Sequence, residues 1–355
     1  MVQKVNPSFW KNKRVLLTGH TGFKGSWLSI WLQSMGAKVQ GFALEPSTSP
    51  ALFNEANVGA DMKSTIGDVR DYKLLLATTK TFDPEIIFHM AAQPLVRKSY
   101  NEPLSTFEVN VMGTVNILEV ARHCNSVKAI INVTTDKCYE NKEWLWGYRE
   151  GDQLGGKDPY SNSKACSELV SQSFRDSFFY DQDIGIATAR AGNVIGGGDW
   201  SEDRLVPDIF RASEGNRCLL VRNPQSIRPW QYVLEPLSGY LVLAENLYND
   251  CEAFSGPWNF GPSEHEMRPV GWIVKYLSSN LPDSSWRVDD DYNHPHEAGL
   301  LKLDISKALT LLGWSPKLNL EETLNRCLEW QKLWLEKVDM RDVCIREIAY
   351  FMESE

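Results

Sequence analysis

Residues 14–36 read RVLLTGHTGFKGSWLSIWLQSMG, and three features of this stretch decide the fold. Arg14 to Thr18 is a short apolar run of the kind buried in a parallel sheet. Gly19, Gly22 and Gly25 follow at once, three apart. Trp27, Ile30, Trp31 and Met35 then recur at helical spacing until Gly36 stops the pattern. A strand that turns through glycines into a helix presents unpaired amide N–H groups at the helix N-terminus, where they attract negative charge. Glycine also lets the backbone turn tightly and come close to a pyrophosphate. The stretch predicts a strand–loop–helix unit that holds a dinucleotide, with Gly19, Gly22, Phe23 and Gly25 at the contact.

Outward from this unit the pattern repeats. Lys38 to Phe42 is the next strand, and Glu85 to His89 and Ala129 to Val133 are two more. Between them Phe107, Val111, Val115, Leu118 and Ala121 trace one helix face. Strands alternating with helices predict an α/β fold, a doubly wound parallel sheet of the Rossmann type. Such sheets bind ligands beyond the carboxyl ends of their strands. After Arg190 the alternation loosens into loops rich in Gly, Pro and Trp. Trp230 to Leu234 and Trp258 to Phe260 read as strands that return to the sheet, and Glu321 to Glu355 reads as helical, with Leu324, Leu328 and Leu333 on one face. The expected organisation is a nucleotide-binding domain over residues 1–190, joined by returning segments near 229–260. A smaller interleaved substrate domain takes 191–228 and 261–355.

Composition narrows the function. A chain of 355 residues exceeds one small core, and 43% apolar with 23% charged residues is ordinary for a globular protein. A net charge of −9 argues against nucleic-acid binding. Met1 to Lys13 holds no apolar signal region, and no apolar run nears the ~20 residues of a membrane span. The seven cysteines form no CxxC pair, which fits reduced thiols in a cytoplasm; Cys124, Cys166 and Cys327 fall in helical patterns as small core residues. The six histidines, His294 and His296 among them, lack zinc-ligand spacing, so no metal is expected.

The glycine spacing is GxxGxxG, and this resembles the extended short-chain dehydrogenases. Gly67-Asp68-Val69 resembles the adenine contact of that family, which implies a hydrogen bond from the adenine amine to Asp68, with Val69 beside it. At the end of the second strand, Ala43 stands where an acid usually grips the ribose 2′-OH; Glu45 comes two residues late, and no arginine is near for a 2′-phosphate. This favours NAD over NADP, with weaker cofactor retention than in relatives that carry the acid.

Tyr160 and Lys164 form a YxxxK pair, and positions four apart on a helix share a face. A tyrosine of ordinary pKa, about 10, is a poor base at neutral pH. A neighbouring ammonium and a positively charged nicotinamide would lower that value. Two further matches, SxxK at Ser161–Lys164 and a glycosylation sequon at Asn132–Thr134, lack their supporting context and are coincidences. Thr135-Asp136-Lys137 follows the Ala129–Val133 strand and resembles the Thr-Asp-Glu run of nucleotide-sugar 4,6-dehydratases, with Lys137 in place of glutamate. Dehydration needs an acid and a base beyond the hydride chemistry. The resemblance implies that Asp136 stays protonated, through a raised pKa, to donate to the C6 oxygen. In its neutral form Lys137 would take the C5 proton; the alternative is a simple ion pair between the two.

Four stretches carry the resemblance further: Thr135 to Tyr139, Ala91 to Arg97, Arg190 to Gly196, and Arg228 to Val233 (RPWQYV). Together with Lys137 and the Arg-Pro-Trp run they are similar to the family branch that acts on CDP-glucose, from about Asn12 to the region of Trp330. The resemblance implies that Thr135, Tyr160 and Lys164 serve the hydride step. It also implies that Ala91, Ala92 and Gln93 line cofactor and sugar, and that Asn193, Arg204 and Arg228 meet the diphosphate. The implied product is CDP-4-keto-6-deoxyglucose, a deoxysugar precursor for surface polysaccharide. The implied assembly is a homodimer, or a dimer of dimers, built on the helices around 107–121 and 160–174. Rivals are a dTDP- or GDP-sugar 4,6-dehydratase, a nucleotide-sugar 4-epimerase, which has no use for the Asp136/Lys137 pair, and a non-catalytic cofactor-binding regulator, which has none for the Tyr/Lys pair.

Overall fold

Side chains alternate across a strand, and in this chain the alternation divides the buried residues between two cores. The computed structural model describes residues 3–282, 284–289 and 299–354; His294 and His296 lie outside them. The elements that position the site are β1 (Arg14–Thr18), α1 (Phe23–Ser34), β2 (Lys38–Ala43), β3 (Lys63–Ile66), α2 (Tyr72–Phe82), β4 (Ile86–His89), α3 (Gly113–Arg122) and β5 (Ala129–Val133). They continue with α4 (Pro159–Phe174), β6 (Gly185–Ala191), α5 (Leu205–Glu214), β7 (Cys218–Val221), α6 (Leu234–Asn249), β8 (Gly256–Phe260), β9 (Ser285–Val288), α7 (Leu320–Leu335) and α8 (Met340–Glu353). Seven parallel strands pair in the order β8-β6-β5-β4-β1-β2-β3. The order reverses between β1 and β4, where a doubly wound sheet opens its ligand crevice.

Val15, Leu17, Ile86, Phe88, Ala129 and Ile131 face one core with α1, α6 and α8. Leu16, Ile87, Ile130 and Ile186 face the other, with α2 and α3. A third cluster joins α5, Trp230, Ile273, Leu324 and Cys327 over the carboxyl ends of the strands. Short parallel strands β7 and β9 lie in this outer region.

Four expectations change. Trp230 to Leu234 does not rejoin the main sheet: Gln231–Tyr232 pairs only with Val194–Ile195, and Leu234 begins α6. The tail is two helices, separated at residues 336–339, and α8 packs on α1 in the sheet's own core rather than with the outer cluster. The 107–121 stripe is split by a wide π-type turn at Glu108–Met112, whose extra residue rotates the face. Leu118 and Ala121 are fully buried, while Phe107, Val111 and Val115 are only half-buried. Cys124 and Cys327 are buried as expected of core residues, whereas Cys166 is partly exposed.

One buried ion pair ties β5, β6 and α4 together. Glu168 and Arg190 are each 3% exposed and meet at 2.8 Å. Arg190 Nε also donates to Glu168 at 2.9 Å, and the hydroxyl of Thr188 donates at 2.6 Å. The hydroxyl of Thr134 donates to the same carboxylate. Burial works against the charge on Glu168, but Arg190 and the hydroxyls outweigh it and hold the carboxyl below its usual range. Removing one partner of a buried pair strands the other charge. Glu168→Ala is therefore expected to cost about 3–5 kcal/mol, read as a lower denaturant midpoint at unchanged slope.

Candidate active site

The glycine loop is built by close approach. Gly19 has φ +78°, and a Cβ there would sit 2.7 Å from the Ala91 nitrogen, so the loop lies against the turn that follows β4. A Cβ on Gly25 would meet the Gly19 carbonyl at 2.1 Å. Thr18 Oγ1 locks the two turns by accepting from the Met90 and Ala91 N–H groups at 3.1 and 3.2 Å and pairing with His89 Nδ1 at 2.8 Å. Helix α1 starts at Gly22 without a side-chain cap, and Gly22 to Gly25 line a cavity of about 850 Å³. That is an anion cradle at a helix N-terminus, and it fits the pyrophosphate of a dinucleotide.

The rest of the dinucleotide path fits less simply. Asp68 and Val69 line the cavity, but both Asp68 oxygens already accept from Arg70, at 2.7 to 3.1 Å. Arg70 holds that carboxyl below its usual range, so an adenine amine would share an occupied acceptor. Ala43 offers no acid, yet Glu45 reaches the same wall despite coming two residues late. Ala91 and Ala92 line the cavity; Gln93 does not. The Gln93 side chain turns inward, donating to the Leu95 carbonyl and the Thr106 hydroxyl and accepting from the Leu95 N–H. It shapes the turn that carries Ala91 and Ala92.

Opposite the glycine loop, α4 begins with Asp158 as cap, its carboxylate accepting from the Ser161 N–H at 2.9 Å, and Pro159 in the first turn. This start presents Tyr160 and Lys164 to the cavity beside Thr135, Asp136 and Lys137. Lys164 Nζ donates to the Val133 carbonyl at 3.1 Å. Burial pushes its amine down to about 8, with Glu168 pulling the other way. Burial likewise drives the Tyr160 phenol up to about 12, against the pull of the Thr135 hydroxyl. The protein alone therefore does not deliver the lowered tyrosine expected from the YxxxK spacing; desolvation outweighs the Thr135 hydroxyl and the Arg204 charge.

Asp136 is 1% exposed, with its Oδ1 accepting from the Thr135 hydroxyl at 3.1 Å. Its Oδ2 is buried and has no partner among the described residues. Burial raises its pKa, opposed by Lys137, Thr135 and Arg228. A carboxyl whose pKa is raised and which has one oxygen uncommitted is suited to general acid work. Arg204 pairs with Asp199 at 3.0 Å, and Arg228 donates to the carbonyls of Ile227 and Gly299 at 3.0 and 3.2 Å. Both line the cavity with Asn193.

Two residues inside the glycine loop carry more than spacing. Lys24 lines the cavity and donates to the Tyr240 hydroxyl at 3.0 Å. Burial, Arg204 and Lys164 push its amine down to about 7 against Asp136. His20 packs on Gly41, pairs with Ser64 Oγ at 2.7 Å, and burial pushes it down to about 4, so it is neutral. Their only signal in the sequence is a charged and a titratable residue among glycines; the partners lie at positions 41, 64, 204 and 240.

Sheet order, glycine loop and the Thr135/Tyr160/Lys164 set define an enzyme of the extended short-chain dehydrogenase class. A sequence profile described as GDP-mannose 4,6 dehydratase matches residues 16–327, and the chain belongs to this 4,6-dehydratase family. It is 53% identical over 99% of both chains to a CDP-glucose 4,6-dehydratase of Salmonella typhimurium. It is 25% identical to a human dTDP-D-glucose 4,6-dehydratase, over 90% of each chain. The fold matches a dTDP-glucose 4,6-dehydratase of Streptomyces venezuelae (TM-score 0.76, 21% identity, 90% of this chain and 97% of that one). It also matches a UDP-glucose-4-epimerase of Stenotrophomonas maltophila (0.79, 20%, 92% and 99%). The activity is that of a hydro-lyase acting on a nucleotide sugar. Among the described residues no helix is long and apolar enough to cross a membrane, and no cluster of metal-ligating residues is present.

Asp136 links stability to pH. A carboxyl whose folded pKa is raised contributes stability that is complete below about pH 4, the unfolded value, and is lost as pH rises through the folded one. Asp136→Asn removes that loss. The variant should melt higher than the parent at alkaline pH, with the gap closing toward pH 4, while kcat falls roughly 10²–10⁴-fold.

Proposed function

We propose that the protein is a CDP-glucose 4,6-dehydratase that uses NAD and forms CDP-4-keto-6-deoxyglucose. The observation that carries this reading is Asp136, buried with a free oxygen beside Thr135 and Tyr160, because an epimerase on this fold needs no second acid. The glycine cradle and the Ala91–Ala92 turn would hold NAD, which when bound supplies a hydride acceptor that later returns the hydride. Tyr160, whose phenolate the positive charge of bound NAD would favour, takes the proton of the C4 hydroxyl, with the Thr135 hydroxyl and Lys164 steadying the oxygen. Lys137, at the cavity wall, takes the C5 proton once C4 is a ketone. Asp136 gives its proton to the C6 oxygen, which leaves as water. Arg204, Arg228 and Asn193 hold the diphosphate. The 53% identity to the Salmonella enzyme supports cytosine as the base.

Residues 1–190 with β8 would form the NAD-binding part, and 191–228 with the region after 261 up to α7 the sugar-nucleotide part. Leu104, Met112, Leu169 and Phe178 are exposed along the face of α3, α4 and their flanking turns, which supports a homodimer built there. Seven unpaired thiols suit a cytoplasmic protein.

With added NAD, the protein should convert CDP-glucose to a product lighter by one water and absorbing in alkali as a 4-ketone, leaving UDP-, dTDP- and GDP-glucose largely untouched. Deuterium placed at C4 should appear at C6. Inversion at C4 without loss of water would sink the assignment of Asp136. Lys137→Ala should abolish exchange of the C5 proton with solvent while NAD still binds. Leu104→Glu with Leu169→Glu should shift the sedimentation coefficient to that of a single chain.

A further inference from the structure

The cavity extends past Arg204 into a lobe that the chemistry at Tyr160 and Asp136 leaves unused. Its walls include Leu205, Leu219, Val221 and Val270, apolar surfaces suited to the faces of a flat ring. Asp208 stands one helical turn beyond Arg204, in the first turn of α5, its N–H donating to the Arg204 carbonyl at 2.9 Å. One turn advances ~5 Å, comparable with the step from a diphosphate across a ribose to its base.

The Asp208 carboxylate has one committed oxygen. Oδ1 accepts from Arg211, and Arg211 is itself anchored by donating to the carbonyls of Trp200 and Ser201 at 2.9 and 3.0 Å. The side chain is 37% exposed and lines the cavity. Asp199 has both oxygens taken, Oδ1 by the Ser201 N–H at 3.0 Å and Oδ2 by Arg204 at 3.0 Å, while Asp203 Oδ1 holds two cations, Arg97 at 2.9 Å and Arg222 at 3.9 Å. Asp289 also has a partner. Asp208 is thus a fixed acceptor on the cavity wall, one helical turn from Arg204.

We infer that Asp208 selects the base, its Oδ2 accepting the exocyclic N–H of cytosine. Uracil and thymine present a carbonyl oxygen at that position, which a carboxylate repels. Discrimination by a missing donor is strong, because the wrong base leaves a desolvated acceptor unpaired. This inference rests on CDP-glucose being the substrate.

The test compares parent and Asp208→Asn enzyme, both loaded with NAD, on CDP-glucose and UDP-glucose. An amide can donate to a carbonyl oxygen, so the kcat/KM ratio of CDP- to UDP-glucose should shrink by about 100-fold or more, through KM rather than kcat. CDP and UDP binding by calorimetry should shift in the same ratio without turnover. An unchanged ratio, including an equal fall for both nucleotides as a ribose contact would give, overturns the inference. Asp208→Ser, which asks less of Arg211, is read the same way if Asp208→Asn does not fold. A parent enzyme inert toward CDP-glucose but active on another nucleotide sugar overturns the substrate reading itself, and this inference with it.

Discussion

Glu168 and Arg190 bury opposite charges between α4 and β6, and the geometry of the reaction centre follows from what those charges require. A buried pair survives only with its remaining lone pairs and protons satisfied. Glu168 satisfies its own from Thr134, just past the end of β5, and Thr188, in the middle of β6. Arg190 sends its other N–H groups to the Tyr139 hydroxyl at 2.8 Å and the Glu150 carbonyl at 3.0 Å. Tyr139 passes the chain on to Asn259 in β8 at 2.7 Å. The residues after Thr134 are Thr135, Asp136 and Lys137; one and two turns before Glu168 are Lys164 and Tyr160. Pinning Thr134 to Glu168 therefore sets the distance between the two halves of the chemistry.

Desolvation governs the charges in this cavity. It pushes Tyr160 up, Lys164 and Lys24 down and Asp136 up, each toward its neutral form, as low dielectric requires. Three basic groups, Lys24, Lys164 and Arg204, are close enough to act on one another or on Tyr160. An anionic diphosphate entering among them would offset their mutual repulsion and favour their charged forms. Asp136 is the acid set against them, and burial rather than a partner raises its pKa.

Much of this was legible from the chain. The βα repeat, the glycine loop and the YxxxK pair are local patterns, and local patterns survive folding because strand period and helix turn are properties of short segments. The same locality explains the errors. Trp230 to Leu234 has a strand-like run, but Leu234 is captured by a long buried helix. Phe107 to Ala121 has a single helical stripe until one wide turn rotates it. Gln93 lies between two cavity residues, yet its amide is drawn into the Leu95 and Thr106 turn.

The chain by itself determined the class of fold, the dinucleotide loop and the identity of the reacting groups, because each is written within a few consecutive residues. Only the tertiary structure decided their protonation and their neighbours. Lys24 meets Tyr240, Arg204 meets Asp199 and Asp208 joins the cavity wall. A pKa depends on how much water and charge surround a group, and here that surrounding comes from segments as much as 216 residues apart.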